Sequence, residues 1–321
     1  MSDAVPLLSV IVVVGALRER ARDCLRSILA QDIADRIEVL LVDCAPEDLP
    51  PVPGSEHTAV RHLRMPRETS FARARAAGVR LAHAPVVAFL EEHCRVYPGW
   101  AGALVEAHRG PWAAVGGEVH NGNPGVGRSD LIGLLSYGLF YPPLPRGEAP
   151  LVAGHNSSYK REVLLRYDRE LEEFLGTDMV LLARLHADGF RFATEPDAKL
   201  AHLNETRFAS IARGYFLFNR CYGHNRAGML GWSRARRAAY AVLTPVIPLY
   251  FMAHFSLFLA RERRAFLGVF VRNAALVYAA ELCAAAGQAV GLLLGPGDAE
   301  RRFTAYELTE TREISTTAGA P

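Results

Sequence analysis

The chain has no Cys-x-x-Cys pair, and its five cysteines (24, 44, 94, 221 and 283) are odd in number and widely scattered. That argues against a disulfide framework and against a structural zinc site, and it fits a reducing compartment. No Gly-x-Gly-x-x-Gly follows the first apolar run, and no Gly-x-x-x-x-Gly-Lys-Ser/Thr occurs anywhere. A dinucleotide-binding fingerprint and a P-loop are therefore both unsupported. An excess of charge of either sign is also missing. Lys+Arg 36 against Asp+Glu 34 proposes neither a nucleic-acid partner nor an acidic one. The first residues lack the basic flank, apolar core and cleavage site of a signal peptide, so the catalytic parts are expected to face the cytoplasm.

What the sequence does have is a focal stretch, Val86-Val87-Ala88-Phe89-Leu90-Glu91-Glu92-His93-Cys94. Its apolar half lacks alternation, so it predicts a strand buried on both faces. Its charged half falls at the carboxyl edge of a sheet, where open α/β sheets bind ligands. Buried acids need a cationic partner, and a divalent metal is one candidate.

Around that stretch the pattern predicts strands at Leu8–Val14, Ile37–Val42 (ending on Asp43), Val60–Arg64 and Ala113–Val119. Helices are predicted at 17–29, Ser70–Leu81, Trp100–His108 and Arg161–Tyr167. Residues 120–150, rich in Gly and Pro, predict a long functional loop with a short helix near Asp130–Leu139. Gly176-Thr177-Asp178 opens another helix, where Thr177 or Asp178 would serve as an ordinary N-cap. Short strands follow at Phe190–Thr194 and Ala198–His202. This order predicts an α/β fold with a mostly parallel sheet and covering helices.

Beyond residue 205 the composition changes. Ala238–Ala260 carries no formal charge and is broken by Pro245 and Pro248; Ala265–Leu294 is apolar but carries Arg272 and Glu281. Such lengths suit a bilayer. The clusters Arg234-Ala235-Arg236-Arg237 and Arg261-Glu262-Arg263-Arg264 flank the first segment on both sides, against the one-sided bias of a simple span. An in-plane or re-entrant hairpin anchored at an anionic leaflet is the expectation, and a helical subdomain packed on the rest is the alternative. The domain reading is 1–205 catalytic, 206–298 helical and membrane-associated, and 299–321 a loosely held polar tail.

In this order the pieces resemble the family 2 glycosyltransferases of the GT-A fold, over roughly residues 7–205. Ser9-Val10-Ile11-Val12-Val13 with the helix ending Ser27-Ile28-Leu29-Ala30-Gln31 looks like the family's opening, and Leu41-Val42-Asp43 like its base-contacting strand end. Ala72-Arg73-Ala74-Arg75-Ala76-Ala77-Gly78 resembles the Ala-Arg-Asn-x-Gly helix. Phe89-Leu90-Glu91-Glu92-His93 stands in place of the metal-holding Asp-x-Asp, and Gly176-Thr177-Asp178 where the family carries Glu-Asp. Gly116-Gly117 and Gly154-His155-Asn156 match the acceptor-side turns, and His202 a histidine after the last strand. The departures are Cys44-Ala45-Pro46 for the Asp-Gly-Ser loop, Ala76 for asparagine, Thr177 for glutamate, a lost turn after Val13, and Glu91-Glu92-His93 for the aspartates.

The resemblance implies inverting transfer of a sugar from a nucleotide-diphosphate donor, of the UDP type, to a hydroxyl of a membrane-held or envelope-glycan acceptor. Asp178 would be the catalytic base. Asp43, Arg75, Glu91 and Glu92 would hold the nucleotide sugar, and His155 and Asn156 would face the acceptor. Glu91, His93 and His202 would hold Mn²⁺ or Mg²⁺, with the imidazoles favouring Mn²⁺. A protonated His93 facing the diphosphate is the alternative to a metal. A non-catalytic nucleotide-sugar binder or assembly partner that kept the fold is the alternative function, and a nucleotidyltransferase a more distant one.

Overall fold

The computed structural model describes residues 5–309. In chain order the elements are β1 (Leu8–Val14), α1 (Arg18–Leu29), β2 (Ile37–Asp43), β3 (Val60–Arg64), α2 (Phe71–Leu81), β4 (Val86–Glu91) and β5 (Cys94–Val96). Next come α3 (Trp100–Ala107), β6 (Ala114–Asn121), α4 (Ser129–Tyr137), β7 (Gly147–Ala149), β8 (Asn156–Lys160), α5 (Arg161–Leu165), α6 (Leu171–Leu175), α7 (Asp178–Ala187) and β9 (Phe192–His202). The remainder is helical: α8 (Phe208–Met229), α9 (Arg234–Leu243), α10 (Ile247–Glu262), α11 (Arg264–Arg272), α12 (Ala274–Leu294) and α13 (Ala299–Thr309).

The α/β expectation holds, with a mixed sheet in the order β3-β2-β1-β4-β8-β6-β9-β5, and β7 pairing with β9. Strands β3, β2, β1 and β4 run parallel, as the strand-helix-strand spacing predicts. The antiparallel β8 then slots between β4 and β6, while β6 and β9 run parallel. The two short strands predicted near the end are one continuous β9, whose pairing with β6 shifts register between Gly117 and Val119.

Burial on both faces explains the unalternating apolar runs. Ile11, Val13 and Phe89 pack under α2, α6 and α7, while Val10, Val12 and Leu90 pack under α1 and α3. Gly78 lets α2 press on β1, since a Cβ there would lie 2.7 Å from Ile11 Cγ2.

The C-terminal helices are tied to this body. α12 lies along α8 through glycines: a Cβ on Gly287 would come 2.3 Å from the Phe216 carbonyl oxygen, and one on Gly291 2.1 Å from that of Arg220. Leu131 and Leu134 of α4 join Phe255, Leu259, Phe270 and Val277 in a separate core. The charge-free segment passes through a 3₁₀ turn at Thr244–Val246 between α9 and α10, with Pro245 in the turn and Pro248 in the first turn of α10. Two stretches, Arg234–Glu262 and Ala274–Leu294, have the length and apolar composition to cross a membrane. The expected loose tail is corrected over 299–309: α13 docks on the sheet domain. Leu308 sits against Gly15, Arg20 donates to the Glu307 carbonyl, and Thr304 Oγ1 accepts the Phe71 N–H at 3.1 Å. Residues 310–321 lie outside the described residues.

Candidate active site

A cavity of about 520 Å³ opens at the carboxyl edge of β4 and runs beneath α8, α10, α12 and α13. Arg75, Glu91, His155, Asp178 and His202 line its sheet end together. Five segments of sequence supply them, with Arg75 coming from α2. β4 delivers Glu91, the antiparallel pairing of Cys94 with His202 brings β9 beside His93, the turn before β8 carries His155, and α7 begins at Asp178.

Asp178 stands at the first residue of α7, but it does not cap the helix. Thr177 occupies the N-cap without a side-chain cap bond, and its hydroxyl instead accepts from Asn225 Nδ2 at 2.9 Å. The Asp178 carboxylate turns to Arg75, accepting from Nη1 at 3.2 Å. Arg75 also reaches Glu91, Nη2 to Oε1 at 3.8 Å, and rests its guanidinium against the rings of Phe71 and Phe89. One buried arginine thus ties the candidate base to the candidate metal ligand. Burial pushes the Asp178 carboxyl above its usual range; Arg75 opposes this and the Glu91 charge adds to it.

Space for that carboxylate comes from Gly154. A Cβ built there falls 1.7 Å from Asp178 Oδ2. Gly154→Ala is therefore expected to displace Asp178 and lower turnover by about 10²-fold, the scale of a one-ångström misplacement. Steady-state kinetics beside an unchanged circular dichroism spectrum would check this; full turnover would show that the carboxylate moves freely.

Glu91 Oε2 lies 3.1 Å from His93 Nε2 and 3.4 Å from His202 Nε2, and the two nitrogens are 2.9 Å apart. Two donors about 2.1 Å from one metal, at octahedral or tetrahedral angles, stand about 3.0–3.4 Å apart, so the triangle fits a first-row divalent ion. Glu91 Oε2 makes no well-angled hydrogen bond of its own. Burial works to raise the Glu91 pKa, but contacts with His202 and His93 prevail and hold it well below the usual carboxylate range. Cys94 Sγ falls in the same group, whose candidate atoms lie within 4.8 Å of one another.

A chain of amides orients His202. Asp130 accepts from Asn121 Nδ2 at 2.7 Å, Asn121 Oδ1 accepts from Asn204 Nδ2 at 2.9 Å, and Asn204 Oδ1 faces His202 Nδ1 at 2.8 Å. A carboxylate only accepts, so it sets the direction of both amides and places the His202 proton on Nδ1. The Nε2 lone pair then points at Glu91 and His93, the arrangement a metal-binding imidazole needs. Asn204→Leu is expected to weaken divalent-metal affinity about 10–100-fold, measured by calorimetry with Mn²⁺. Unchanged affinity would remove the metal from this triad.

Three residues expected at the site lie elsewhere. Glu92 turns away from the cavity, where its buried carboxylate accepts from Gly15 N–H at 2.9 Å and pairs with Arg20. Asn156 is saturated by structural bonds. Its Oδ1 accepts from Trp100 Nε1, and its Nδ2 donates to the carbonyls of Glu118 and Ala198, so it holds strands together and, fully buried, does not line the cavity. Asp43 is fully buried, takes both forks of Arg18 at 3.0 and 2.9 Å and also bonds Arg64, His62 and the Ala45 N–H. Burial opposes ionisation there, but this set of donors wins and lowers its pKa. Its oxygens are committed to protein donors, and it does not line the cavity.

Sequence reasoning missed Cys94 and Asn204 as site-builders. It also missed Tyr137, whose ring packs 4.1 Å from that of His155 and 4.4 Å from that of His202. The Gly154-His155 turn did carry a signal, but that signal did not say which carboxylate the glycine admits.

Comparison with curated proteins returns no match. Comparison with protein families matches residues 9–167 to Glycosyl transferase family 2, a stretch that carries Arg75, Glu91, His93 and His155 and stops short of Asp178 and His202. With the mixed α/β sheet and the cavity at its carboxyl edge, this match shows a resemblance to glycosyl transferase family 2 over that stretch.

Proposed function

We propose that the chain is an inverting glycosyltransferase. It moves a sugar from a nucleotide-diphosphate donor, of the UDP type, to a hydroxyl of a membrane-held or envelope-glycan acceptor at the cytoplasmic face of a membrane. The observation that carries this reading is the convergence of Asp178, Arg75 and the Glu91–His93–His202 triangle on one end of a single cavity. In the reaction an acceptor oxygen bonds to the anomeric carbon as the carbon–phosphate oxygen bond breaks, and the nucleoside diphosphate leaves with the electron pair. Asp178 takes the hydroxyl proton, and its raised pKa suits it to that task. Arg75 holds Asp178 in place and offers positive charge beside the leaving group. Glu91, His93 and His202 would hold a divalent cation, Mn²⁺ in preference to Mg²⁺, which supplies charge neutralisation to the departing diphosphate when bound.

The membrane side of the reading is supported by exposed apolar side chains on α9, α10 and the turn between them: Val242, Leu243, Val246, Leu249, Tyr250 and Leu257. Arg234, Arg236 and Arg237 stand at one end and Arg261 and Arg264 at the other, while Arg263 is buried. In this reading the helices lie along an anionic leaflet instead of crossing it.

The test is nucleoside diphosphate release by the purified full chain from a panel of nucleotide sugars, with Mn²⁺, with Mg²⁺ and with chelator. Release from one donor, stimulated by Mn²⁺, is the expected outcome. Binding without release from any donor would favour the non-catalytic alternative, and release indifferent to chelator would recast His93 as the counter-charge.

A further inference from the structure

Away from the sheet, the cavity continues as an arm between the helices. Its walls include the apolar Ile211 and Phe218 of α8, Phe251 of α10, Ala284 of α12 and Phe303 of α13, beside the polar Tyr215 and Glu300. On α12 the spacing i, i+3, i+7 turns Glu281, Ala284 and Gln288 toward this arm. Gln288 is engaged, donating to Asn219 Oδ1 at 3.1 Å. Glu281 is different. It is 8% exposed, lines the cavity, and makes no hydrogen bond or ion pair among the described residues.

The helix packing does not need that carboxyl, because α12 meets α8 through Gly287 and Gly291. An acid removed from water without a partner is unfavourable, and burial alone pushes its pKa up to about 7. A ligand that supplied the missing donor would recover that cost. The only arginine or lysine among the described lining residues is Arg75, at the sheet end. The arm therefore suits a neutral or cationic head and disfavours an anionic one.

We infer that the arm is an acceptor subsite for an amphipathic molecule, an aliphatic chain bearing a hydroxyl or ammonium group that hydrogen-bonds to Glu281 while the chain lies against Phe218, Phe251 and Phe303. The inference rests on reading the Asp178 end as the transfer centre, since one continuous cavity then presents a bound acceptor to the base.

The experiment is calorimetry of the full chain at pH 7.5 with octylamine, 1-octanol and octanoate, on the native protein and on Glu281→Leu and Ala284→Trp. The native protein is expected to bind the amine and the alcohol one to one, and octanoate at least tenfold more weakly. A preference for amine over alcohol would mark an ammonium-bearing acceptor, and the reverse a hydroxyl. Ala284→Trp, which fills the arm, should abolish binding. Glu281→Leu should weaken amine and alcohol at least tenfold while raising the melting temperature. Unchanged affinity in Glu281→Leu, binding that survives Ala284→Trp, equal binding of octanoate, or no binding at all would overturn the inference. Donor hydrolysis by the native protein needs no amphiphile. Its presence alongside failed amphiphile binding would sink this subsite alone, and its absence would sink the transfer reading.

Discussion

Asp178→Asn is expected to lower donor turnover about 10²–10⁴-fold, the usual contribution of a positioned general base. The substitution keeps the shape of the side chain and removes its basicity. The oxygen that accepts from Arg75 Nη1 at 3.2 Å can be retained, so Arg75 keeps a hydrogen bond at the same place. What goes is the carboxylate that would take the acceptor proton. The loss should fall on kcat, with donor affinity by calorimetry changing far less, because proton transfer belongs to the transition state. The pH profile gives a second reading. The base works only when ionised, so activity falls as pH falls through its pKa. Since burial and the Glu91 charge raise that pKa above the ordinary aspartate value, the acidic limb should sit at a higher pH than an exposed aspartate would give. Full activity in Asp178→Asn would remove this residue from the chemistry, whatever its position.

The same residues show why the sequence was readable in some places and opaque in others. Strands buried on both faces announce themselves by composition, so β1, β2 and β4 are found where unalternating Val, Ile and Leu predict them. Glu91 and His93 are legible because a charged end to a buried strand has few places to go, and His202 because it closes the last strand. Glu92 is adjacent to both and faces the other way, a consequence of how the chain turns after β4 that no residue type declares. Asn156 and Asp43 mislead for one shared reason. A polar residue at a strand end looks the same in sequence whether it awaits a ligand or is already saturated by the protein, and the partners that saturate it, Trp100 for one and Arg18, His62 and Arg64 for the other, are distant in the chain. The docking of α13 is hidden for a related reason. Its anchors are the small residue Gly15 and the N–H of Phe71, and neither carries a compositional mark.

The second large effect is expected from Glu91→Ala, which should lower nucleoside diphosphate release about 10²–10³-fold, the scale of losing one preorganised stabiliser of developing charge. Glu91 is the single residue shared by both halves of the site: its Oε2 closes the triangle with His93 and His202, and its Oε1 faces Arg75. Removing it leaves two imidazoles whose Nε2 atoms stand 2.9 Å apart with no anion between them. Those nitrogens then satisfy one another as donor and acceptor, which costs the proton-free pair of nitrogens a cation requires. Calorimetry should therefore show Mn²⁺ binding lost together with turnover. It should also show that excess Mn²⁺ fails to restore release, whereas Glu91→Asp, which keeps the charge on a shorter arm, restores part of both. If Glu91→Ala lost turnover but still bound Mn²⁺ as tightly as the native chain, the ion would belong elsewhere and Glu91 would act through Arg75 alone. If it kept turnover, the charged end of β4 would be a structural corner, and the leaving diphosphate would have to be met by the arginine without help from this edge of the sheet.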